Sequence, residues 1–368
     1  MLDDLFIITD TGQLIFSWHW EESDSVKDDD LISGFLTALD SFASIERGED
    51  IKSLQLKETH IIFEKSSNQV QKLTFVVTTK NEELIELLHS IVHDIMDTFT
   101  TTFKEHLNRE FDGEISKYKI FHDILKNIIH SRGLDTLNDS VRQINDGGAL
   151  KSIVFLEPKG GNIFFIHARQ FVNKDKLSFL IPLIVNSAQL LYKNNLGENV
   201  HWILLTTIRN ENILVEIRSK IIIVKQYQLP ENIEKDFLEL EFFKSKEKYV
   251  KKPKKVIEKF ENLIWDPRIK QIFLVDLVGK ILYSKIIDDK YDCTEYIPET
   301  ISVLTSSKKI SEETYNRILF NTSLGGENIT TICMNFNNIA LTMIGNIRDI
   351  NTFQTIQDIC YKIFLQVK

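Results

Sequence analysis

Cysteine is scarce in this chain. Only Cys293, Cys333 and Cys360 occur among 368 residues, an odd number with no CxxC spacing. That excludes a disulfide framework and the usual thiolate metal site, and it fits a reducing, cytoplasmic setting. Basic charge is also short: 44 Lys and Arg stand against 53 Asp and Glu, a net charge of -9. Broad nucleic-acid binding relies on basic surface to displace phosphate counterions, so no nucleic-acid partner is expected. Long apolar runs are missing as well. The most apolar helical stretch, residues 176–193, is interrupted by Pro182, Asn186 and Gln189, and it falls short of the roughly 20 residues that span a bilayer. The opening MLDDLFIITD has acids where a secretion signal carries bases.

Catalytic signatures are absent too. No GxxxxGK[ST] phosphate loop occurs, since Gly279-Lys280 is followed by Ile281 inside a hairpin pattern. No GxGxxG follows a strand and no GxSxG elbow is present. His89 and His93, with Glu86 and Asp97 on the same helix face, have the spacing of a helix-borne metal pair. The stretch reads His-Ser-Ile-Val-His, however, without the internal glutamate of HEXXH, and a solvated polar face is the expected reading. The expectation is a protein that is not an enzyme and uses no metal or cofactor.

What is present is repetition of architecture, with little residue identity between copies. Residues 5–9 and 14–18 read as strands around Asp10-Thr11-Gly12-Gln13, where Gly supplies the positive φ of a tight turn. An amphipathic helix, 31–45, follows Asp28, Asp29 and Asp30, whose charge suits the start of its dipole. Strands at 51–56, 59–64 and 72–78 and helices at 82–107 and 114–130 complete the first unit. The second has a helix at 134–144, a hairpin of 151–157 and 162–168 around Gly160-Gly161, a helix at 176–193, strands at 200–207, 213–218 and 221–227, and a helix from Pro230 to about 243. The third repeats that order: a helix at 256–265, a hairpin of 269–276 and 280–287 through Val278-Gly279, a helix at 295–306, strands at 315–321, 328–336 and 339–345, and a helix at 350–366. The expected class is α/β (α+β) in three tandem units, residues 1–130, 131–245 and 246–368. Each would be a mainly antiparallel five-stranded sheet with flanking helices.

On helix 31–45, Leu31, Ile32, Phe35, Leu36, Leu39, Phe42, Ala43 and Ile45 fill about half the circumference, whereas packing on one sheet needs only about 100°. The excess calls for a second covering surface, supplied either by the other units or by a partner. Gly34, Ala38 and Ser41 run along one edge of the arc, small enough for a neighbouring backbone to approach. A second feature is residues 244–259, with eight lysines against Glu247 and Glu258. Its core, Lys251, Lys252, Lys254 and Lys255, reads either as a solvated connection or as a site for an anionic membrane surface.

The segments LFIITDTGQLIFSW, LISGFLTALDSFASI and IKSLQLKETHIIFEK running into KLTFVVTT resemble a longin domain over about residues 1–130, closest to longin-type proteins of archaea rich in small GTPases. LDTLNDSVRQINDGGALKSIVFLEPKGGNIFFIHA and VIEKFENLIWDPRIKQIFLVDLVGKILYSKI are similar to the related roadblock family, in which a helix precedes the hairpin. The third unit departs from that pattern in its short, polar middle helix and in LGGEN at residues 324–328, so a roadblock-like and a second longin-like copy both remain open. The resemblance implies profilin-like sandwiches that pair with like domains and offer a composite surface to a small Ras-like GTPase, in vesicle trafficking or GTPase regulation. It thereby implies a non-catalytic scaffold, with Gly34, Phe35, Ala38, Ser41 and Phe42 as contacts. The alternative is a tethering or coat-like subunit that assembles with itself or with other longin or roadblock proteins, peripherally at an anionic membrane.

Overall fold

The structure, a computed structural model, describes the chain apart from residues 1, 21–28, 67–70, 110, 112, 208–210, 229–252, 263–265, 277, 293, 337–338, 348–354 and 356–368. The expected helices at 230–243 and 350–366, Lys251, Lys252, Cys293 and Cys360 therefore lie outside the described residues. The described chain forms two compact units, residues 1–142 with 164–166, and residues 143–163 with 167–368.

The first unit opens with β1 (Asp4–Thr9) and β2 (Leu14–His19), then α1 (Asp29–Phe42), β3 (Ser53–Gln55), β4 (His60–Lys65) and β5 (Leu73–Thr79). Helices α2 (Ile85–Thr102), α3 (Lys104–Leu107), α4 (Phe121–Ser131) and α5 (Leu134–Asn145) follow, the last running to the boundary between units. The sheet is antiparallel in the order β2-β1-β5-β4-β3. Alternation along its strands divides the core in two. Phe6, Ile8, Ile61, Phe63 and Val76 gather with Leu36 of α1. On the α2 and α4 side, Phe99 meets Phe75, Tyr118 and Phe121 at centroid distances of 5.8, 5.4 and 4.9 Å. The expected helix 82–107 is interrupted at Phe103, and the expected 114–130 becomes a short turn, Ser116–Tyr118, before α4.

The second unit contains β6 (Leu150–Leu156), β7 (Ile163–Ala168), α6 (Lys174–Leu191), β8 (Trp202–Thr207), β9 (Glu211–Ile217) and β10 (Ile222–Gln228). It continues with α7 (Pro253–Glu261), β11 (Ile269–Asp276), β12 (Ile281–Ile286), α8 (Ile297–Lys309), β13 (Leu319–Gly325), β14 (Thr330–Phe336) and β15 (Ile339–Gly345). Its ten strands form one sheet, β12-β11-β15-β14-β13-β8-β9-β10-β6-β7. The described class is therefore mixed α/β with antiparallel sheets, and the five-strand order of the first sheet returns twice in the second, joined at β8 and β13.

Local devices recur with that order. Gly12, Gly161 and Gly279 turn the three leading hairpins at positive φ. At Gly161 a Cβ would lie 2.0 Å from the Ser178 carbonyl oxygen. That oxygen has no amide to accept from at Pro182, whose ring removes the intrahelical donor. After α1, α6 and α8 the chain widens into a turn of π geometry, Ala43–Arg47, Tyr192–Leu196 and Ile310–Thr314. Gly48 and Gly197 end the first two at φ 68, and Asn316 at φ 53 follows the third. Asn is among the few side chains that tolerate this backbone. Asn316 also explains why the strand expected at 315–321 begins only at Leu319. Helix α7 starts at Pro253, three residues before the helix expected at 256, and the missing N–H costs nothing at a first helical position.

The junction of β8 with β13 runs antiparallel from Leu319↔Thr207 to Gly325↔Trp202. Above it α6 and α8 pack against each other and run in opposite directions: Ser187 Oγ meets Ser302 Oγ at 2.9 Å, and Lys176 Nζ meets Glu313 Oε2 at 2.8 Å. The buried Tyr192 hydroxyl donates to the Leu324 carbonyl at 2.8 Å, and burial pushes its pKa well above the ordinary value. Glu198 Oε2 accepts from the Asn328 N–H at 3.0 Å and the Ile329 N–H at 3.3 Å, while Arg317 donates to Glu211. Cys333 is buried, its thiol pushed up to about 12 by desolvation, so it is an unreactive core residue.

Gly325 leaves room for the Trp202 ring, since a Cβ there would lie 2.0 Å from Trp202 Cε2. Gly325→Val should therefore destabilise this unit by ~1–3 kcal/mol through overpacking. Tyr192→Phe should cost about 1 kcal/mol through the lost hydrogen bond. Urea unfolding followed by tryptophan fluorescence measures both. Midpoints unchanged in both variants would mean that the junction does not limit stability.

Candidate functional site

Helix α1 is tied to its sheet by polar contacts as much as by apolar ones. At its start His19 bridges two carboxylates, Asp4 Oδ1 at 2.7 Å and Asp29 Oδ2 at 3.2 Å, and the Thr78 hydroxyl donates to Asp4 at 2.9 Å. Midway, Gly12 brings the hairpin turn against Thr37: a Cβ at Gly12 would lie 3.2 Å from Thr37 Cγ2. Near its end Asp40 Oδ2 is held by Lys65 Nζ of β4 at 2.9 Å, and the same ammonium meets Asp50 Oδ1 at 2.5 Å. Between helix and sheet lies a cleft of about 130 Å³ whose polar lining includes Thr9, Asp10, Asp40, Lys65, Ser66 and Lys72. Its lysine 65 is already held by two carboxylates, so the cleft acts as a clamp for α1.

The apolar inward contribution is small: Leu36, with Ile32 beside it. The larger apolar residues face out. Leu31, Phe35, Phe42 and Ile45 are 71%, 54%, 62% and 80% exposed, and Ala38 between them is exposed too. Their spacing, 31, 35, 38, 42 and 45, is one stripe of a helix. Among the described residues of its own unit, none buries this arc. Gly34 and Ser41 are exposed along its edge. A contiguous exposed stripe of this kind marks a protein-binding surface more often than a solvated one.

The other sequence candidates lie elsewhere. Lys254 and Lys255 are exposed in the first turn of α7. His93 Nε2 lies 3.4 Å from Asp97 Oδ2 on an exposed face, and no cluster of three metal-ligating residues occurs among the described residues. No helix among them is long and apolar enough to cross a membrane. Sequence reading missed a second outward stripe, Phe179, Leu183 and Leu190 of α6. The signal was there in a helix apolar on every side, which has more apolar surface than one sheet and one neighbouring helix can bury. No family model and no curated protein matches the chain.

The clamp makes a pH-dependent prediction. Hydrogen bonding and charge from Lys65 hold the Asp50 carboxyl below its ordinary 3.8. Burial alone would lower the Lys65 pKa, but its bonds to Asp50 and Asp40 outweigh this and raise it. A carboxylate with a depressed folded-state pKa adds stability above its unfolded pKa, and that contribution is lost as pH falls through the folded value. Between about pH 5 and about pH 3 the first unit should therefore lose more stability in the wild type than in Lys65→Met. Urea midpoints at several pH values measure the difference, and parallel profiles would remove the clamp.

Proposed function

We propose that this chain is a non-catalytic scaffold that binds and regulates a small Ras-like GTPase, or serves as its effector, through surfaces of longin and roadblock type. The observation that carries this reading is the exposed apolar stripe of α1, held rigidly on a sheet whose strand order recurs in the second unit. It gives Gly34, Phe35, Ala38, Ser41 and Phe42 the exposure a partner contact needs. The three-unit longin and roadblock organisation belongs to the same proposal. It is supported by the recurring second-first-fifth-fourth-third strand order, by the hairpin glycines and by the π turns. Regulation would act by ordering or displacing the GTPase switch loops, with no bond chemistry supplied by the scaffold.

The experiment is binding of the purified chain to Ras-like GTPases of its own source, loaded with GDP or a non-hydrolysable GTP analogue, followed by release of a fluorescent nucleotide. Nucleotide-dependent binding is expected, with Ala38→Glu weakening it at least tenfold, since a carboxylate buried at an interface without a partner costs more than 1.4 kcal/mol. Binding in neither state, or binding indifferent to Ala38→Glu, would sink the reading.

Exposed Lys254 and Lys255 favour a second reading, a tethering subunit at an anionic membrane. On it, replacing Lys251, Lys252, Lys254 and Lys255 by Gln should weaken binding to phosphatidylserine vesicles by about fivefold per lysine, at about 1 kcal/mol each. A wild type that ignores such vesicles removes it.

A further inference from the structure

The ten-stranded sheet of the second unit ends on one side in β12, which among the described residues pairs with β11 alone. Such an edge presents main-chain donors and acceptors that a further strand can take up. One hydrogen bond fixes which of them are free. The Ile287 N–H donates to the Lys270 carbonyl at 2.8 Å, next to the pairs Gln271↔Ile286, Ile272↔Lys285, Phe273↔Ser284 and Leu274↔Tyr283. Bonded pairs alternate in an antiparallel ladder, so the N–H and C=O groups of Tyr283 and Lys285 face β11, and those of Ser284 and Ile286 point out of the sheet. The register shift lies at Leu274/Val275, beside the hairpin turn, and from Tyr283 onward the ladder is regular. Ser284 and Ile286 are exposed, and β12 contains no proline to block pairing.

The side chains of β12 divide between the two faces of the sheet. Leu282 and Tyr283 pack with Phe260 of α7 around Ile272 and Leu274, and Lys285, opposite Ile272, shares that face. Ile281, Ser284 and Ile286 stand on the other face, opposite Val275, Phe273 and Gln271. The hairpin turn before them lies against α8, since a Cβ at Gly279 would be 3.6 Å from both Ile297 and Ile301. Ile281 and Ile286 are 43% and 39% exposed, and Val278 and Ile287 beyond the two ends of the strand are 88% and 46% exposed. Lys285 is half-buried and has no ion-pair partner among the described residues. The edge is therefore apolar on one face and cationic on the other.

We propose that β12 accepts an added strand, and that its occupant is an extended peptide segment of a partner protein in which apolar and acidic residues alternate. Main-chain bonds to Ser284 and Ile286 supply affinity, and the two faces of the edge supply selectivity. Apolar residues of the peptide cover Ile281 and Ile286. Its carboxylates stand across from Lys285, a cross-strand pair of opposite charge. A second β12 is the poorer occupant. A two-fold axis between two such strands keeps each face on its own side, so it brings both Lys285 side chains to one face of the joined sheet. The surface lies wholly within the second unit and uses nothing of α1, so the inference stands whether or not a GTPase binds the first unit.

Fluorescence anisotropy of a labelled peptide of alternating valine and glutamate, titrated with the full chain, tests it. Saturable binding is expected. It should be about tenfold weaker for a peptide of alternating valine and lysine, where the attractive cross-strand pair becomes a repulsive one, and lost when the peptide nitrogens are methylated. Ser284→Pro removes an outward N–H, leaves the ladder to β11 intact and places a ring where the added strand pairs. It should abolish binding with the circular dichroism spectrum and urea midpoint unchanged. Lys285→Glu should reverse the preference between the two peptides. A wild type that binds the glutamate peptide no better than the lysine peptide overturns the proposal. So does binding that survives Ser284→Pro, since it would use another surface. If Ser284→Pro alters the fold, Lys285→Glu decides alone, and an unchanged preference overturns the proposal. A wild-type dimer in sedimentation that Ser284→Pro splits would put a second β12 on the edge and overturn it likewise.

Discussion

An open antiparallel sheet ends in strands whose outer N–H and C=O groups lack a ladder partner, and every such edge has to be paired, covered or made unattractive. In the second unit two edges meet each other: β8 and β13 close the gap, and a ten-stranded sheet results. That pairing has a consequence for the helices. Because α6 and α8 are brought side by side above it, α6 can bury apolar side chains on the sheet and on its neighbour at once, and Leu177, Leu180, Ile181, Ile184, Val185 and Leu191 are all buried. At the contact the side chains are short, Ser187 against Ser302, so the helix backbones approach closely while each hydroxyl keeps a partner.

The first unit solves the same helix problem differently. Here α1 is fastened at its start by the His19 bridge and near its end by the Lys65 clamp, with only Leu36 fully buried among its large apolar residues. Polar attachment is directional, so it fixes the rotation of the helix about its axis. That rotation is what turns Phe35 and Phe42 outward. An apolar-in helix of the same length would bury its stripe and present charges. Here the sheet-facing side carries Asp40, Thr37 and Ser33, and their desolvation is offset in part by named partners: Lys65 at Asp40 Oδ2, and the Ser33 and Asp30 carbonyls for the hydroxyls of Thr37 and Ser33.

Much of this was legible in the sequence because it is local. Gly12, Gly161 and Gly279 announce the hairpins, and alternation or apolar runs announce the strands between them. The breadth of the apolar arc on α1 already implied a second covering surface. What was not legible depends on contacts distant in sequence. Gly325 reads as part of a turn, but it is the last residue of β13, kept free of a side chain because the Trp202 ring of another strand occupies the space. The boundary at residue 315 was misplaced because the left-handed backbone at Asn316 has no glycine to mark it. The role of Glu198 was invisible for a similar reason: a glutamate after a glycine looks like any solvated loop residue until the amides of Asn328 and Ile329 come into reach.

Covalent connection makes the junction of the second unit a permanent one. The β8 to β13 junction forms within one chain, so its partners meet at an effective concentration set by the connecting segment and the pairing is always available. Counted back from Gly48 and Gly197, Phe35 of α1 and Ile184 of α6 stand at the same place in the two helices. Ile184 is a β-branched aliphatic packed out of contact with water, whereas Phe35 is an aromatic left 54% exposed. The polar fastening of α1 by His19 and Lys65 keeps its place on the sheet independent of whether that apolar stripe is covered.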